Sequence, residues 1–386
     1  MNLFSSYSEP SVYERNQPGS MTEYVMKLPE KLSDAKPLGL HDFYKYDTYA
    51  YMNIATNGYD AYSMDEPHPP ANWVFFPLYP MLVKIAYLAA NVVAEANPVV
   101  TGIVLSNLFF AAALYLVYRI CLQQGLSEKG GRAVLLMIAL YPASMFFSLA
   151  YTESLFLLLS AASIYFASDK RYALAFAAAG LSTVTRVPGF VNLVFVGGMF
   201  LLDMQIPIVR KLVRGALYGL ISLVPMIIYL LYMKRLTGDF LAPFHEQDNW
   251  FRETTIPFSN YFKYFFDPYF ITPGGWDNGL LSFAVSTAVI LVYLLYAAVF
   301  RKRLFTSAQE LLLFACGAML IVIPFASHTW SLASVVRYMM VSLPFYLYLV
   351  RLSEKREGLY TACLFLFAAI QTIYVIGFFN GYYFMA

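Results

Sequence analysis

Charge is scarce in this chain. Only 13% of its residues are Asp, Glu, Lys or Arg, against roughly a quarter in a soluble domain, and that shortage excludes an ordinary water-soluble enzyme. Cysteine is sparse too. Cys121, Cys316 and Cys363 are far apart, and none lies in a long polar loop, so neither a disulfide framework nor cysteine metal-ligand spacing is present. No HxxxH, CxxC, Walker or GxGxxG pattern occurs, which leaves ATP, a bound metal and other cofactors without support; none is expected. Met1 to Pro70 lacks a basic start followed by an apolar core, so no cleavable signal peptide is expected. The net charge of +2 gives no reason to expect a nucleic-acid partner.

What the chain has instead is apolar sequence. Hydrophobic residues make up 59% and the mean hydropathy is +0.56. They fall in blocks of 14 to 22 residues, the longer ones of a length that crosses a bilayer as helix. The blocks are 99–118, 133–150, 154–167, 172–185, 188–202, 215–233, 279–300, 308–325, 335–350 and 359–379. The expectation is an all-α polytopic transmembrane bundle of about ten spans, several of them short. Residues 77–94 are too short and too rich in proline for an ordinary span, and they are expected to lie in the interface or to re-enter. Residues 1–40 are polar, expected to be partly disordered, and are set apart from a single membrane domain over 41–386.

Basic residues orient the bundle. Arg119, Lys129 and Arg132 fill one connection; Lys170 and Arg171, then Arg210, Lys211 and Arg214, fill the next two. Arg301, Lys302 and Arg303 fill another, and Arg351, Lys355 and Arg356 the last. If every block crosses once, all five connections lie on one side, and Lys/Arg-rich short loops mark the cytoplasm. The opposite side then collects Asp42, Asp47, Glu153, Arg186, the loop over 237–278 and the stretch from His328 to Arg337. Polar groups at membrane depth are functional candidates.

Asp47 is the first candidate for chemistry. Lys45 to Thr56 has a helix-compatible composition and stops at Asn57-Gly58. On that helix Asp47, Tyr51 and Ile54 share a face. A carboxylate shielded by Tyr46, Tyr49 and Tyr51 can accept a proton from a sugar hydroxyl, whereas a lone loop aspartate would simply be solvated. Asp42 reads more like a helix N-cap. Glu153, at the break Tyr151-Thr152-Glu153-Ser154, needs a partner, and Arg186 or Arg337 can supply it. Arginine also clamps phosphate, although a single arginine at a helix end commonly snorkels to the headgroups. His245, Gln247 and Trp250 cluster in one external loop, His328 and Trp330 in another. The run from Tyr261 to Phe270 is densely aromatic. It reads as an interfacial anchor or as a wall for a lipid substrate.

Several segments, in order, resemble PIG-V-type mannosyltransferases. Tyr46-Asp47 through Gly58-Tyr59, followed by Phe75-Phe76-Pro77-Leu78-Tyr79-Pro80, is similar to that family's aspartate loop. Tyr141-Pro142-Ala143-Ser144-Met145-Phe146-Phe147 through Tyr151-Thr152-Glu153-Ser154-Leu155-Phe156 resembles a second family stretch, Thr185-Arg186-Val187-Pro188-Gly189 its arginine–glycine step, Gly238-Asp239-Phe240-Leu241-Ala242 with Gln247 and Trp250 its later loop, and Ser334-Val335-Val336-Arg337-Tyr338 its late arginine–tyrosine motif. Tyr46 stands where the family usually has tryptophan. The family's spanning helix ahead of the aspartate loop has no counterpart in residues 1–70.

The resemblance implies a GT-C glycosyltransferase fold with its active site in extracytoplasmic loops, a catalytic loop over 41–76 and an external loop over 237–278. It implies transfer of a sugar, typically mannose, from a polyprenyl- or dolichyl-phosphate donor to a glycan, lipid or protein acceptor, with Asp47 catalytic. The expected substrate-binding residues are Asp42, Tyr51, Glu153, Arg186, Gln247, Trp250, His328 and Arg337. Membrane lipids are the surrounding partner, and in a prokaryote the membrane would be the plasma membrane. The rival readings are a transporter or flippase of lipid-linked glycans, which would favour internal repeats, and a catalytically degenerate assembly subunit.

Overall fold

The computed structural model of the protein describes residues 37–250, 253–266, 278–328, 332, 334–354 and 356–379. The architecture is all-α. A short turn at Leu40–Phe43 leads to α1 (Asp47–Asn57), α2 (Leu78–Asn91) and α3 (Pro98–Gln123). Next come α4 (Glu128–Ala139), α5 (Glu153–Ser168), α6 (Tyr172–Thr183), α7 (Gly189–Leu202) and α8 (Ile208–Thr237). The polar stretch after α8 holds α9 (Ala242–His245) and α10 (Ser259–Phe266). The last part contains α11 (Asn278–Val299), α12 (Arg301–Thr306), α13 (Ala308–Val322), α14 (Val335–Met339), α15 (Leu343–Ser353) and α16 (Glu357–Phe379). Two short strands, β1 (Glu253–Thr254) and β2 (Ser327–His328), pair antiparallel with Glu253 opposite His328.

Among the described residues five segments are long and apolar enough to cross a membrane: Pro98–Gln123, Ile208–Thr237, Leu280–Val299, Ala308–Ala326 and Gly358–Phe379. The protein is therefore a multi-pass membrane protein. The apolar helices α5, α6 and α7 are shorter; α7 still exposes Phe190, Val194 and Leu201, whereas α5 sits inside. Most of α5 is buried, including Leu155, Phe156, Leu157 and Ala161, so protein rather than lipid surrounds it, and a full bilayer length is not required of it. The outer helices α3 and α8 instead expose Val104, Leu108, Leu217 and Ile228, as lipid-facing surfaces do.

Local signals set the ends. Asn97 caps α3 by accepting from the backbone N–H of Val99 at 2.9 Å, with Pro98 at the first helical position. Ser127 caps α4 and Ser307 caps α13 through their hydroxyls. Residues 77–94 form the 14-residue α2, too short to span.

Two of the expected spans are broken. Block 133–150 is helical only to Ala139; Tyr141-Pro142 follow, then a 3-10 turn at Ser144–Phe147. The freed carbonyl of Ala139 accepts from Ser144 Oγ at 2.7 Å and from Gln371 Nε2 at 3.2 Å. Block 335–350 divides into α14 and α15, with Pro344 entering the first turn of α15. Proline cannot donate to the preceding turn. Tyr141 ties the two breaks together, its hydroxyl donating to the Val336 carbonyl at 3.0 Å.

The basic connections gather at one end. Arg351 and Arg303 both donate to the Gln124 carbonyl, at 2.9 and 3.1 Å. Gln309 donates to Ser168 Oγ, Lys170 pairs with Asp203, and Lys211 Nζ donates to the Leu201 carbonyl. From that end the chain returns along α4, α6, α8, α13 and α16. It arrives along α3, α5, α7, α11 and α15. Residues 37–97 and the end of α16 share the other end, where Lys45 Nζ donates to the Phe379 carbonyl at 2.7 Å. A cation there also suits the negative end of the α16 dipole.

Candidate active site

Four charged side chains meet at the end opposite the basic connections. Arg337, on α14, donates from Nη2 to Asp47 Oδ2 at 2.5 Å and from Nε to Glu153 Oε1 at 2.5 Å. The same Glu153 oxygen forms an ion pair with Arg186 Nη1. The result is a chain, Asp47–Arg337–Glu153–Arg186, with two acids and two bases. These residues are up to 290 positions apart in sequence.

Each arrives from a terminus. Asp47 opens α1 and Glu153 opens α5, positions where the helix dipole favours a carboxylate. Arg186 lies between α6 and α7, in a turn that needs Gly189: a Cβ there would collide with the Ser182 carbonyl. Two of the approaches are strained. Tyr46, just before Asp47, has φ 52, and Ser334, three residues before Arg337, has φ 60. A non-glycine residue in this region costs about 1–3 kcal/mol, and such strain concentrates at functional sites. Neither residue caps its helix with a side-chain hydrogen bond.

Burial is graded across the cluster. The side chains of Glu153 and Arg337 are 0% and 2% exposed, whereas Arg186 is 12% and Asp47 18% exposed. Asp47 and Arg186 therefore form the rim and the other two the floor. The Arg337 guanidinium lies over the rings of Tyr151 at 4.6 Å and Phe146 at 4.7 Å, which favours the cation. Arg186 lies over Tyr338 at 5.0 Å. Two buried atoms of the floor have no hydrogen-bond partner, Glu153 Oε2 and Arg337 Nη1; Thr48 Oγ1 and Ser154 Oγ nearby in sequence have none either. Buried polar atoms are nearly always satisfied, so this concentration sets the cluster apart from the rest of the interior.

Tyr51 stands beside the cluster, with its hydroxyl 3.4 Å from Thr152 Oγ1. Burial, followed by the charges of Asp47 and Glu153, pushes its phenol above the usual value. It stays protonated and can orient a substrate without acting as a base. Its ring packs against Phe75 at 5.2 Å and Tyr79 at 5.5 Å. Tyr79 in turn hydrogen-bonds Ser106 at 2.9 Å, so the Phe75-to-Pro80 motif braces the wall of the site. Trp250 continues the brace, 5.3 Å from Phe75 and donating from Nε1 to the Ala71 carbonyl at 2.8 Å.

Other candidates fall elsewhere. Asp42 does not cap α1. It accepts from the Gly39 N–H at 2.8 Å and stays within its own turn, because the chain turns again at Tyr46 before α1 begins. Gln247 donates to the Pro243 carbonyl one turn back. His245 pairs with Asp239 at 2.6 Å, and His328 contributes backbone to the β pair. Of the three expected tyrosine shields only Tyr51 faces the cluster. Tyr49 is exposed, and Tyr46 packs on Phe378. In the aromatic run, Tyr264 is buried while Phe262, Phe265 and Phe266 are exposed; residues 267–270, like Trp330 and most of 1–40, lie outside the described residues.

Sequence reasoning did not single out Thr152, which lies 3.4 Å from both Tyr51 Oη and Arg186 Nη1. Its adjacency to Glu153 was the available signal. Nor did it find Glu246. That carboxylate is fully buried, accepts from the Ala71 N–H at 2.6 Å and from Asn249 at 2.9 Å, and lies 3.8 Å from His68. It latches the stretch after α9 to the aspartate loop. Among the described residues no group of three His, Cys, Asp or Glu side chains is arranged to hold a metal ion.

The structure is thus an all-α multi-pass bundle with an acid–arginine cluster at the end away from its basic connections. The chain belongs to the mannosyltransferase (PIG-V) family, whose family model matches residues 20–281. It is thus a membrane glycosyltransferase of the mannosyltransferase type. Asp47, Glu153 and Arg186 lie within the match and Arg337 beyond it. No curated protein and no solved structure matches the chain.

Proposed function

We propose that this protein transfers mannose from a polyprenyl- or dolichyl-phosphate donor to a hydroxyl of an extracytoplasmic glycan, lipid or protein acceptor, with inversion at the anomeric carbon. The observation that carries the reading is the Asp47–Arg337–Glu153–Arg186 cluster, open at the end away from the basic connections. By the positive-inside rule that end faces away from the cytoplasm. Residues 41–386 act as one catalytic unit in this reading.

The roles follow from chemistry. Arg337 and Arg186 hold the donor phosphate, since guanidinium matches its oxygens and spreads the charge that builds on it as the bond to the sugar breaks. Asp47 accepts the proton of the acceptor hydroxyl. The freed oxygen attacks the anomeric carbon from the face opposite the phosphate. The carbon–oxygen bond to phosphate breaks, and polyprenyl or dolichyl phosphate leaves with the electron pair. Asp47 then loses its proton to solvent at the rim. Glu153 neutralises the two arginines from behind. Tyr51, Trp250 and the aspartate loop line the sugar side.

Transport of a lipid-linked glycan is the second reading, favoured by the breaks after α4 and between α14 and α15, because transporters use discontinuous helices. One experiment separates the two. The purified chain in nanodiscs is given dolichyl- or polyprenyl-phosphate mannose, radiolabelled in the sugar, and a panel of glycan, lipid and peptide acceptors. The expected result is label on an acceptor and free lipid phosphate, with the rate lowered about 10²–10⁴-fold by Asp47→Asn. Label that stays on the lipid with every acceptor, or an Asp47→Asn rate equal to wild type, overturns the proposal.

A further inference from the structure

We infer that Asp47 occupies, in the empty enzyme, the place on Arg337 that the donor phosphate takes, so that donor binding itself releases the base. The inference rests on the reading above of Asp47 as base and Arg337 as phosphate ligand.

Among the described residues, the groups around Arg337 leave a phosphate one approach, past Asp47. That side chain is 2% exposed. Its Nε is held by Glu153, its faces are covered by the rings of Phe146 and Tyr151, and Nη2 is held by Asp47. Of the two carboxylates on Arg337 only Asp47 is solvent-accessible, and it stands at a helix terminus behind a strained residue, Tyr46. Glu153 is fully buried at the start of α5 and is shared with Arg186, so it has nowhere to go. Asp47 is the group that can yield.

The unpartnered Arg337 Nη1 points the same way. A carboxylate on Nη2 and another on Nε leave one donor of the fork unused. A phosphate can span Nη1 and Nη2 with two oxygens, which Asp47 does not do here. The exchange therefore replaces one charge-assisted hydrogen bond with two. It also leaves Arg337 paired throughout, because Glu153 does not move. Asp47, freed of its counter-ion, faces the rim where an acceptor hydroxyl arrives. Donor then binds before acceptor, and the base is held by its own arginine whenever the donor is absent.

Competition has a measurable signature. A form closed by Asp47 for about nine-tenths of the time weakens apparent phosphate affinity about tenfold. Asp47→Asn removes the competing charge, so the transfer-dead variant should bind the lipid phosphate more tightly than wild type. The probe is farnesyl phosphate, titrated against the full chain in nanodiscs, with thermal melting to establish folding. Asp47→Asn is expected to lower Kd about tenfold, and Asp47→Ser, made beside it, to do the same. In an Arg337→Gln background the Asp47 change should have no effect, since the two sites are then uncoupled. Equal or weaker binding by folded Asp47→Asn and Asp47→Ser overturns the inference, and so does an undiminished Asp47 effect without Arg337. Dead transfer with unchanged affinity sinks only this exchange. Surviving transfer with tightened affinity sinks the base assignment and leaves the exchange standing.

Discussion

The bundle carries a buried acid–arginine cluster at each end, and the two are built differently. At the basic end Glu310 accepts from Arg351 and from Tyr296, both at 2.5 Å, through one oxygen and lies 3.3 Å from Arg303 Nε through the other. Arg351 spends its remaining reach on the Gln124 carbonyl. Glu310 sits in a helix start capped by Ser307, and the charged members of the cluster have no unsatisfied buried atom, although the hydroxyl of Tyr348, stacked on Tyr296, is unsatisfied. At the opposite end two floor atoms are unsatisfied, both flanking helices start uncapped, and Tyr46 and Ser334 are strained. The same residue types thus make a closed joint in one place and an unfinished one in the other. Completeness of hydrogen bonding among the charged groups, rather than the presence of buried charge, separates the basic-end cluster from the one we propose as the active site.

The largest test swaps the arginine of each cluster for methionine. Either change takes one of two arginine partners from a buried carboxylate, leaving Arg186 on Glu153 or Arg303 on Glu310. Each should cost less stability than the roughly 3–5 kcal/mol of a fully stranded charge, read as a fall in unfolding midpoint. Arg337→Met should also lower transfer by about 10²–10³-fold or more in the protein that remains folded. Arg351→Met should leave the rate per folded molecule close to wild type. Equal loss of rate in both variants would erase the distinction between the clusters.

Gly189→Ala sharpens the comparison by moving one member of the open cluster without changing its charge. The added methyl meets the Ser182 carbonyl, so the turn must open, at a cost of about 1–3 kcal/mol. Arg186 should then lose its register with Glu153, raising KM for the donor more than it lowers kcat. A KM unchanged from wild type would show that Arg186 tolerates the shift. The smallest effect is expected from Trp250→Phe. The ring contact to Phe75 survives, but the bond to the Ala71 carbonyl is lost, worth about 1 kcal/mol. Thermal melting should fall slightly, and transfer should change less than in either other test.

Much of this was legible from the sequence. Asp47, Glu153, Arg186 and Arg337 stood out because a charge beside an apolar block must find a partner, and the alternation of basic connections put all four at one end. The stop of α1 followed from Gly58, whose φ of 92 suits glycine. The helix breaks were less legible. Apolar content continues straight through Tyr141-Pro142 and Pro344, and only the side chains of Gln371, Ser144 and Tyr141, supplied from distant segments, make those interruptions tolerable. Arg351 read as a loop cation, because counting charges in connections says nothing about a glutamate waiting 41 residues away. Asp42 reads as a second carboxylate with the look of an N-cap, and Gln247 enters through the family resemblance; in the structure Asp42 accepts from the Gly39 N–H and lies 3.9 Å from Lys45, and Gln247 donates to the Pro243 carbonyl.

The neutrality of the open cluster has a consequence for the membrane itself. Two bare arginines at the mouth of a bundle would draw chloride and water toward its interior. Because Asp47 and Glu153 balance Arg186 and Arg337, the resting protein presents no net charge there to attract a stray ion. The cluster can in this way stand at the mouth of the bundle without gathering counter-ions from the solvent while it is empty.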